Sequence, residues 1–296
     1  MLINEAISTA VNQLKQAGID SSETDAKALM LHILGINLSR LLLQANDELS
    51  KKDEDLYFKK VHERVLCKPF AYITGEKEFY SLPFTVNEHT LIPRPETELL
   101  VENAIEFLRT KQNAVFLDFC TGSGNIPIAI CHELRNKSIH GYAFDISLKA
   151  IHVAQENKKT LKVKNLSLFC MNLHDGVHLK QKFDLITANP PYIPIEEKRN
   201  LQKDITDYEP HGALFSEGNG CKEIFKIIIS SITLLKQNGL LLMEISDNKQ
   251  AEEINSLFYQ NELGKYFSQP EFINDYAGIK RILKLISNCT PEGVTL

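Results

Sequence analysis

The sequence predicts an α/β protein: a doubly wound, mostly parallel seven-stranded sheet with an antiparallel C-terminal edge pair. A small all-helical domain and a β-hairpin linker precede it. Three observations lead there. Apolar residues recur at helical spacing through the first 70 residues. From residue 113 onward, β-forming and helix-forming segments alternate, which implies parallel strands joined by crossover helices. The last two β-forming segments leave no room for a crossover, so they must pair antiparallel.

The first helix carries Ile3, Ile7, Ala10, Val11 and Leu14 on one face and is closed by Gly18. Ser21 or Ser22 caps the next, whose apolar set includes Ala26, Leu29, Met30 and Ile33 and which Gly35 ends. A short segment spans Ser39 to Gln44. Ser50 and Asp53 resemble a capping box opening a helix through Leu56, Val61 and Val65, stopped by Pro69. Residues 1–70 hold 9 basic and 10 acidic residues, so charge nominates no partner for this domain. Residues 71–93 change character: Tyr72, Ile73, Phe79, Tyr80, Leu82, Phe84, Val86, Leu91 and Ile92, broken by Gly75 and Pro83, read as a hairpin linker. A helix follows from Glu96 to Leu108.

In the sheet domain, strands are expected at 115–119, 139–144, 166–170, 183–188, 239–245, 267–274 and 280–285. Helices are expected at 126–134, 148–158, 221–235 and 252–259, with a long connection over 193–218. The domain plan is therefore 1–70, linker 71–93, sheet domain 94–288 and a tail, 289–296.

Bulk properties narrow the function. With 296 residues, 43% of them apolar, the chain can bury one large core and one small one. A formal net charge of -5 gives no basic field for nonspecific nucleic-acid binding. The six cysteines form no Cys-x-x-Cys pair, which disfavours structural zinc or a disulfide framework and fits a reducing cytosol. No apolar run reaches membrane-spanning length, and the N-terminus lacks the basic start and apolar core of a secretion signal. His62, His132 and His174 show no paired metal spacing, so no metal is expected.

The most telling run is Ala188-Asn189-Pro190-Pro191-Tyr192, at the end of an apolar strand. Two prolines hold the backbone extended and stiff. They present one carboxamide, free carbonyls and one aromatic ring at a fixed place, as needed to hold a planar –NH2 group. A second signal is Asp118-Phe119-Cys120-Thr121-Gly122-Ser123-Gly124, between the first sheet strand and its helix. Ligands of open α/β sheets bind beyond the strand C-termini, where this loop must lie. A tight β–α turn would explain the glycines alone. Asp145, ending the next strand, adds a carboxylate suited to a ribose diol, unless it merely caps the following helix. NAD is the rival ligand. Its fingerprint wants a third glycine where this chain has Pro127, and an acid at the loop's start suits a cationic ligand better than a pyrophosphate. S-adenosylmethionine has an ammonium group, a ribose diol and no phosphate.

With these motifs the chain resembles the PrmC/HemK family. These are class I S-adenosylmethionine-dependent methyltransferases that methylate the glutamine of the Gly-Gly-Gln motif in peptide chain release factors. The resemblance runs through the helical front domain, Phe70–Gly75, Leu91–Glu98, the glycine loop, Asn189–Tyr192, Tyr208–Pro210, Gly239–Ile245 and Asp275–Gly278. It implies cofactor contacts at Asp118, Cys120, Thr121, Gly122, Ser123, Gly124, Asp145, Asn172, Leu173 and Asn189. It implies substrate contacts at Asn189, Pro190, Pro191 and Tyr192, with Arg94 lying over the site, where a structural salt bridge would serve equally. Glu98 is expected to support the site from behind, and Glu244 to end a strand at a solvent-facing sheet terminus. The sequence departs from the family at two places. Cys120 stands where glycine is common, which a Cβ tolerates only at negative φ. Asn172 stands where Asp is common, and its carbonyl can still accept from an adenine amine.

These residues imply a clamp with Asn189, Pro190 and Tyr192 as its catalytic parts. Asn189 Oδ1 and the Pro190 carbonyl accept from the –NH2, and Tyr192 packs on the amide plane. S-adenosyl-L-homocysteine is the product. Adenine N6 of DNA presents a similar –NH2 and remains an alternative acceptor. A noncatalytic adenosyl-binding protein is a second alternative, disfavoured by the intact motif. The acidic chain without a large recognition insertion favours a protein substrate, docked by residues 1–70. A cytoplasmic monomer without stable nucleic-acid or membrane binding is expected.

Overall fold

The computed structural model describes residues 1–172 and 181–288. The chain begins with α1 (Ile3–Gln16), α2 (Ser22–Leu34), α3 (Leu38–Leu43), α4 (Lys51–Val65) and α5 (Phe70–Thr74), then β1 (Glu76–Phe79) and β2 (Leu82–Thr85). It continues with α6 (Thr97–Arg109), β3 (Asn113–Phe119), α7 (Asn125–Glu133), β4 (Ser138–Asp145), α8 (Leu148–Thr160), β5 (Leu166–Cys170) and β6 (Phe183–Ala188). A connection carrying β7 (Ile193–Pro194), α9 (Lys203–Tyr208), α10 (His211–Leu214) and β8 (Phe215–Ser216) leads to α11 (Lys222–Leu234) and β9 (Leu235–Glu244). Then come α12 (Asn248–Gln260), β10 (Glu271–Asn274) and β11 (Lys280–Ile286). The tail from 289 and Leu173 lie outside the described residues.

Two compact units emerge: Met1–Glu76 with Gln202–Tyr208, and Lys77–Leu201 with Glu209–Leu296. The first is helical. Ala6, Ala10, Leu14, Leu29, Met30, Tyr57 and Val61 form its core. The buried Tyr57 hydroxyl is satisfied by the Ala26 carbonyl at 2.9 Å, and buried Arg64 pairs with Asp25 at 2.8 Å. Three local expectations need correction. Ser21 occupies the N-cap of α2, yet its hydroxyl donates to Asp25 and caps no backbone group. Leu56 is exposed, and its neighbour Tyr57 fills the core. Tyr72 and Ile73 are helical and do not belong to the hairpin: Pro69 is preset for a helix start, and Gly75 at φ 80° ends the turn by adopting the left-handed conformation. The connection also proves richer than a plain loop, since Gln202–Tyr208 joins the helical unit, where Tyr208 donates to the Leu66 carbonyl at 2.7 Å.

The second unit is built on a seven-stranded sheet in the order β10-β11-β9-β6-β3-β4-β5. β9, β6, β3, β4 and β5 run parallel, and β11 pairs antiparallel with both β9 and β10. The apolar runs that predict the strands are buried: Phe116, Leu117, Leu185, Ile186, Leu241 and Met243 are enclosed between the helices. β3 leads outward to β4 and β5, and the chain then returns to place β6 on the other side of β3. That reversal opens a crevice past the ends of β3 and β6.

The β1–β2 hairpin is tied to this crevice. Phe79 and Phe84 pack edge to face at 6.0 Å in the core. Glu98, on α6, accepts from the Tyr80 amide at 2.8 Å at the hairpin's turn. Asn157, on α8, is 1% exposed and spends its whole carboxamide on backbone. It accepts from the Thr85 amide at 2.7 Å and donates to the Thr85 and Ser123 carbonyls at 3.0 and 2.9 Å. One side chain thus joins hairpin, helix and glycine loop. Replacing Asn157 by Ala leaves buried groups unpaired and is expected to cost about 3 kcal/mol in urea unfolding. A loss below about 0.5 kcal/mol would show that these bonds do not hold the loop.

Candidate active site

A cavity of about 370 Å³ opens at the ends of β3, β4 and β6. The glycine loop forms its floor with Cys120, Thr121, Gly122 and Ser123; Asp145, Asn172, Asn189 and Pro191 stand on its walls. Two connecting segments, around Leu91–Arg94 and Pro210–Phe215, border it as well.

The loop's shape follows from its residues. The Thr121 amide donates to the Phe144 carbonyl at 3.0 Å and the Gly124 amide to the Thr121 carbonyl at 2.8 Å, so the chain turns sharply off β3. Gly124 has φ 80°, and a Cβ there would lie 2.9 Å from Ile128 Cδ1 and 3.1 Å from Ala154 Cβ. It needs glycine for conformation and for close packing of α7 on α8. Cys120 overturns the expectation of a negative φ: it sits at φ 56°. The strain is that of a Cβ in the left-handed region. The residue borders the cavity with its side chain packed against the core, and burial pushes the thiol's pKa well above the ordinary value.

Asp145 is the best-placed acid. Its Oδ2 accepts from the Gly122 amide and its Oδ1 from the Ser147 amide, both at 2.8 Å. Each oxygen keeps a lone pair for a further donor, such as a sugar hydroxyl. Burial raises its pKa, while the amides of Ser147, Gly122 and Ile146 oppose the rise. Asp118 lies behind the wall. It is fully buried, accepts from the Thr187 hydroxyl at 2.6 Å, and burial pushes its carboxyl up to about 7. The Thr187 and Thr121 hydroxyls oppose that rise. The spare acceptor capacity of Asp145 on the cavity wall fits a polar ligand such as a sugar diol.

Asn189 borders the cavity. Its Nδ2 donates to Thr97 Oγ1 at 3.2 Å, which leaves Oδ1 as a spare acceptor. Pro190 is buried and, like Gly124 and Tyr192, is not on the cavity wall. The Tyr192 ring is half-buried against the core, and its hydroxyl donates to Glu244 Oε1 at 3.0 Å. Glu244 is 1% exposed, so the expectation of a solvent-facing terminus fails; the motif itself covers it. The turn is braced from below. Gln250 Nε2 donates to the Tyr192 carbonyl at 3.1 Å. A Cβ on Gly220, at φ 81°, would lie 2.0 Å from that same carbonyl.

Arg94 makes an ion pair with Glu209 and also borders the cavity. Glu209, 4% exposed, accepts from the Ile92 amide at 3.1 Å through its other oxygen, so one carboxylate fastens the Leu91–Arg94 segment. Thr97, Asn157, Glu209 and Gln250 are site-shaping residues that sequence reasoning missed. Of these, Thr97 and Glu209 carry a sequence signal, as parts of Leu91–Glu98 and Tyr208–Pro210. Among the described residues, no group of His, Cys, Asp and Glu is arranged to hold a metal ion.

This sheet order, glycine loop and strand-end acid make the fold that of a class I S-adenosylmethionine-dependent methyltransferase. Comparison with known proteins is more specific. Residues 5–75 match the model of the PrmC N-terminal domain, and residues 110–277 match a methyltransferase domain. A release factor glutamine methyltransferase of Leptospira interrogans is 36% identical over 279 residues, spanning 92% of this chain and 93% of that protein. One from Fusobacterium nucleatum is 35% identical over 282 residues, spanning 93% of this chain and 76% of that protein. A bifunctional methyltransferase of Rickettsia typhi is 35% identical over 275 residues, and the chain spans 52% of its length. The chain belongs to the PrmC family of release factor glutamine methyltransferases.

The strain at Cys120 gives a direct test. Cys120→Gly relieves the left-handed Cβ and is expected to stabilise the protein by about 1 kcal/mol in guanidinium unfolding. An unchanged or lower midpoint would show that the loop carries no strain at this residue.

Proposed function

We propose that this chain transfers a methyl group from S-adenosylmethionine to the side-chain amide nitrogen of the glutamine in the Gly-Gly-Gln motif of class I peptide chain release factors. The products are N5-methylglutamine and S-adenosylhomocysteine. The observation that carries the reading is Asn189, held with Nδ2 on Thr97 and Oδ1 spare, at the edge of a cavity whose floor is the glycine loop. Membership in the family supports the choice of substrate.

Cys120–Gly124 and Asp145 are assigned to the cofactor, with Asp145 on the ribose hydroxyls and Asn172 near the base. Asp118 acts from behind, at the end of β3, where the Thr187 hydroxyl of β6 donates to it. When bound, the cofactor supplies an electrophilic methyl: its S–C bond breaks as the N–C bond forms, sulfur keeps the electron pair, and the nitrogen then loses a proton. The protein's task is the nucleophile. An amide nitrogen shares its lone pair with its carbonyl and attacks poorly. Asn189 Oδ1 and the Pro190 carbonyl accept from its two N–H bonds and aim the nitrogen. Both acceptors strengthen their hold as positive charge grows on nitrogen in the transition state. Tyr192 acts through the backbone it anchors, with its hydroxyl on Glu244 and its carbonyl on Gln250, and Pro191 walls the amide. Arg94, engaged by Glu209, shapes the segment over the site.

The helical domain, residues 1–70, is assigned to docking the substrate protein, with 71–93 as linker, 94–288 as the transferase and 289–296 as a tail. The working form is taken to be a cytoplasmic monomer without stable nucleic-acid or membrane contacts. The net charge of -5 gives no basic field for nonspecific nucleic-acid binding.

Purified protein with methyl-labelled S-adenosylmethionine should label a release factor and leave its Gly-Gly-Ala variant and DNA unlabelled. Label on DNA adenine alone would overturn the reading in favour of a base methyltransferase. Asn189→Ala should lower turnover by about 100-fold while cofactor affinity falls far less. Undiminished turnover would defeat the amide clamp.

A further inference from the structure

The Asn189–Tyr192 turn has two ends, and β6 holds only the first. Gln250, in the first turn of α12, reaches the second. It is 4% exposed, and its backbone amide donates to Asp247 Oδ1 at 2.8 Å. Its side chain makes two bonds, both to backbone. Oε1 accepts from the Ser246 amide at 2.9 Å, and Nε2 donates to the Tyr192 carbonyl at 3.1 Å. Ser246, two residues past the end of β9, is a fixed point. The neighbouring Ile245 amide donates to the Arg281 carbonyl at 2.8 Å, and the Arg281 guanidinium donates to the Ser246 carbonyl. Asp275, in the turn between β10 and β11, holds that guanidinium at 2.9 Å.

A carboxamide can be turned either way round, but these partners leave no choice. A peptide N–H only donates and a peptide carbonyl only accepts, so oxygen faces Ser246 and nitrogen faces Tyr192. An ionised carboxylate of the same shape would set acceptor against acceptor at Tyr192. An apolar side chain would leave both backbone groups unpaired. Gly220 completes the arrangement. It is buried at φ 81°, and a Cβ there would lie 2.0 Å from the Tyr192 carbonyl oxygen and 2.9 Å from Gln250 Nε2. Only bare backbone fits against this bond, and it shields the bond from water, which strengthens it.

We propose that Gln250 is a positioning residue for methyl transfer: by tying the Tyr192 carbonyl to Ser246, it fixes the far end of the turn and with it the aim of the Pro190 carbonyl at the substrate amide. The prolines set φ at positions 190 and 191, but not ψ at 191 or either angle at 192. A tethered carbonyl at 192 removes that play. This inference rests on the amide-methylating function proposed above.

The test compares Gln250→Met and Gln250→Glu with the wild-type full chain. kcat and KM are measured for a release factor from about pH 6 to about pH 9, a range that spans the carboxyl titration of a buried Glu. Affinity for S-adenosylhomocysteine is measured by calorimetry. Gln250→Met, which keeps the side chain's length and loses both bonds, should lower kcat by about 10-fold with KM and S-adenosylhomocysteine affinity nearly unchanged. Gln250→Glu gives a readout within one folded protein. Ionised, its carboxylate keeps the Ser246 bond but has no proton for the Tyr192 carbonyl; neutral, it donates there as the carboxamide does. Its kcat relative to wild type should therefore be low at high pH and climb toward wild type as pH falls through the carboxyl's pKa, which burial raises. Asp247, Glu244 and the Asp275–Arg281 pair are bonded to the same segments. Their titration is common to both proteins, so the ratio reports the introduced carboxyl. A wild-type kcat in Gln250→Met, or a Gln250→Glu ratio that does not rise as pH falls, would overturn the proposal. Failure of the wild-type protein to label any release factor would instead overturn the function on which it rests.

Discussion

The parallel pairing of β6 with β9 is the constraint on which the site depends. It sets Ala188 opposite Met243, and so delivers a carboxamide and a buried carboxylate side by side at the edge of the sheet. Slippage by one residue would turn every side chain of a strand to the opposite face. The apolar runs of both strands are buried and tolerate no such slip. Core packing therefore fixes the chemistry's coordinates before any ligand arrives.

The turn after β6 is held from several directions. The prolines restrict the backbone, Gln250 fixes the Tyr192 carbonyl, and Gly220 lets its own backbone approach closely enough to wall that carbonyl in. Across the cavity, Glu209 fastens Ile92 and Arg94 with one carboxylate. Asn157 fastens the glycine loop to the hairpin. A poor nucleophile gains most from such rigidity, because alignment replaces the activation that no base here supplies. Isolated charge plays a small part: the half-buried Arg94–Glu209 pair shapes the wall more than it stabilises the fold.

Much of this architecture was legible in the sequence. Period and punctuation mark the central strands of the main sheet, because strands buried on both faces are apolar, whereas the exposed edge strand β10 begins at Glu271, later than the expected 267. The glycine loop, Asp145 and Asn189 are readable because their chemistry demands particular residue types at strand ends. Residues 70–74 misled because Tyr and Ile favour strands locally, whereas Pro69 and Gly75 frame a single helical turn. Asn189 and Glu244 were invisible as neighbours. They are 55 positions apart, and only strand order and register set them side by side. Cys120 shows the opposite limit: its left-handed φ is imposed by the turn between β3 and α7, and no property of cysteine announces it.

The amide clamp is a matter of geometry, and one structure can test it. Crystals of the protein with S-adenosylhomocysteine and a peptide containing Gly-Gly-Gln should show the glutamine –NH2 hydrogen-bonded to Asn189 Oδ1 and the Pro190 carbonyl, with Asn189 Nδ2 still on Thr97. A glutamine bound through its carbonyl to Asn189 Nδ2, or an amide seated away from Asn189, would contradict the clamp.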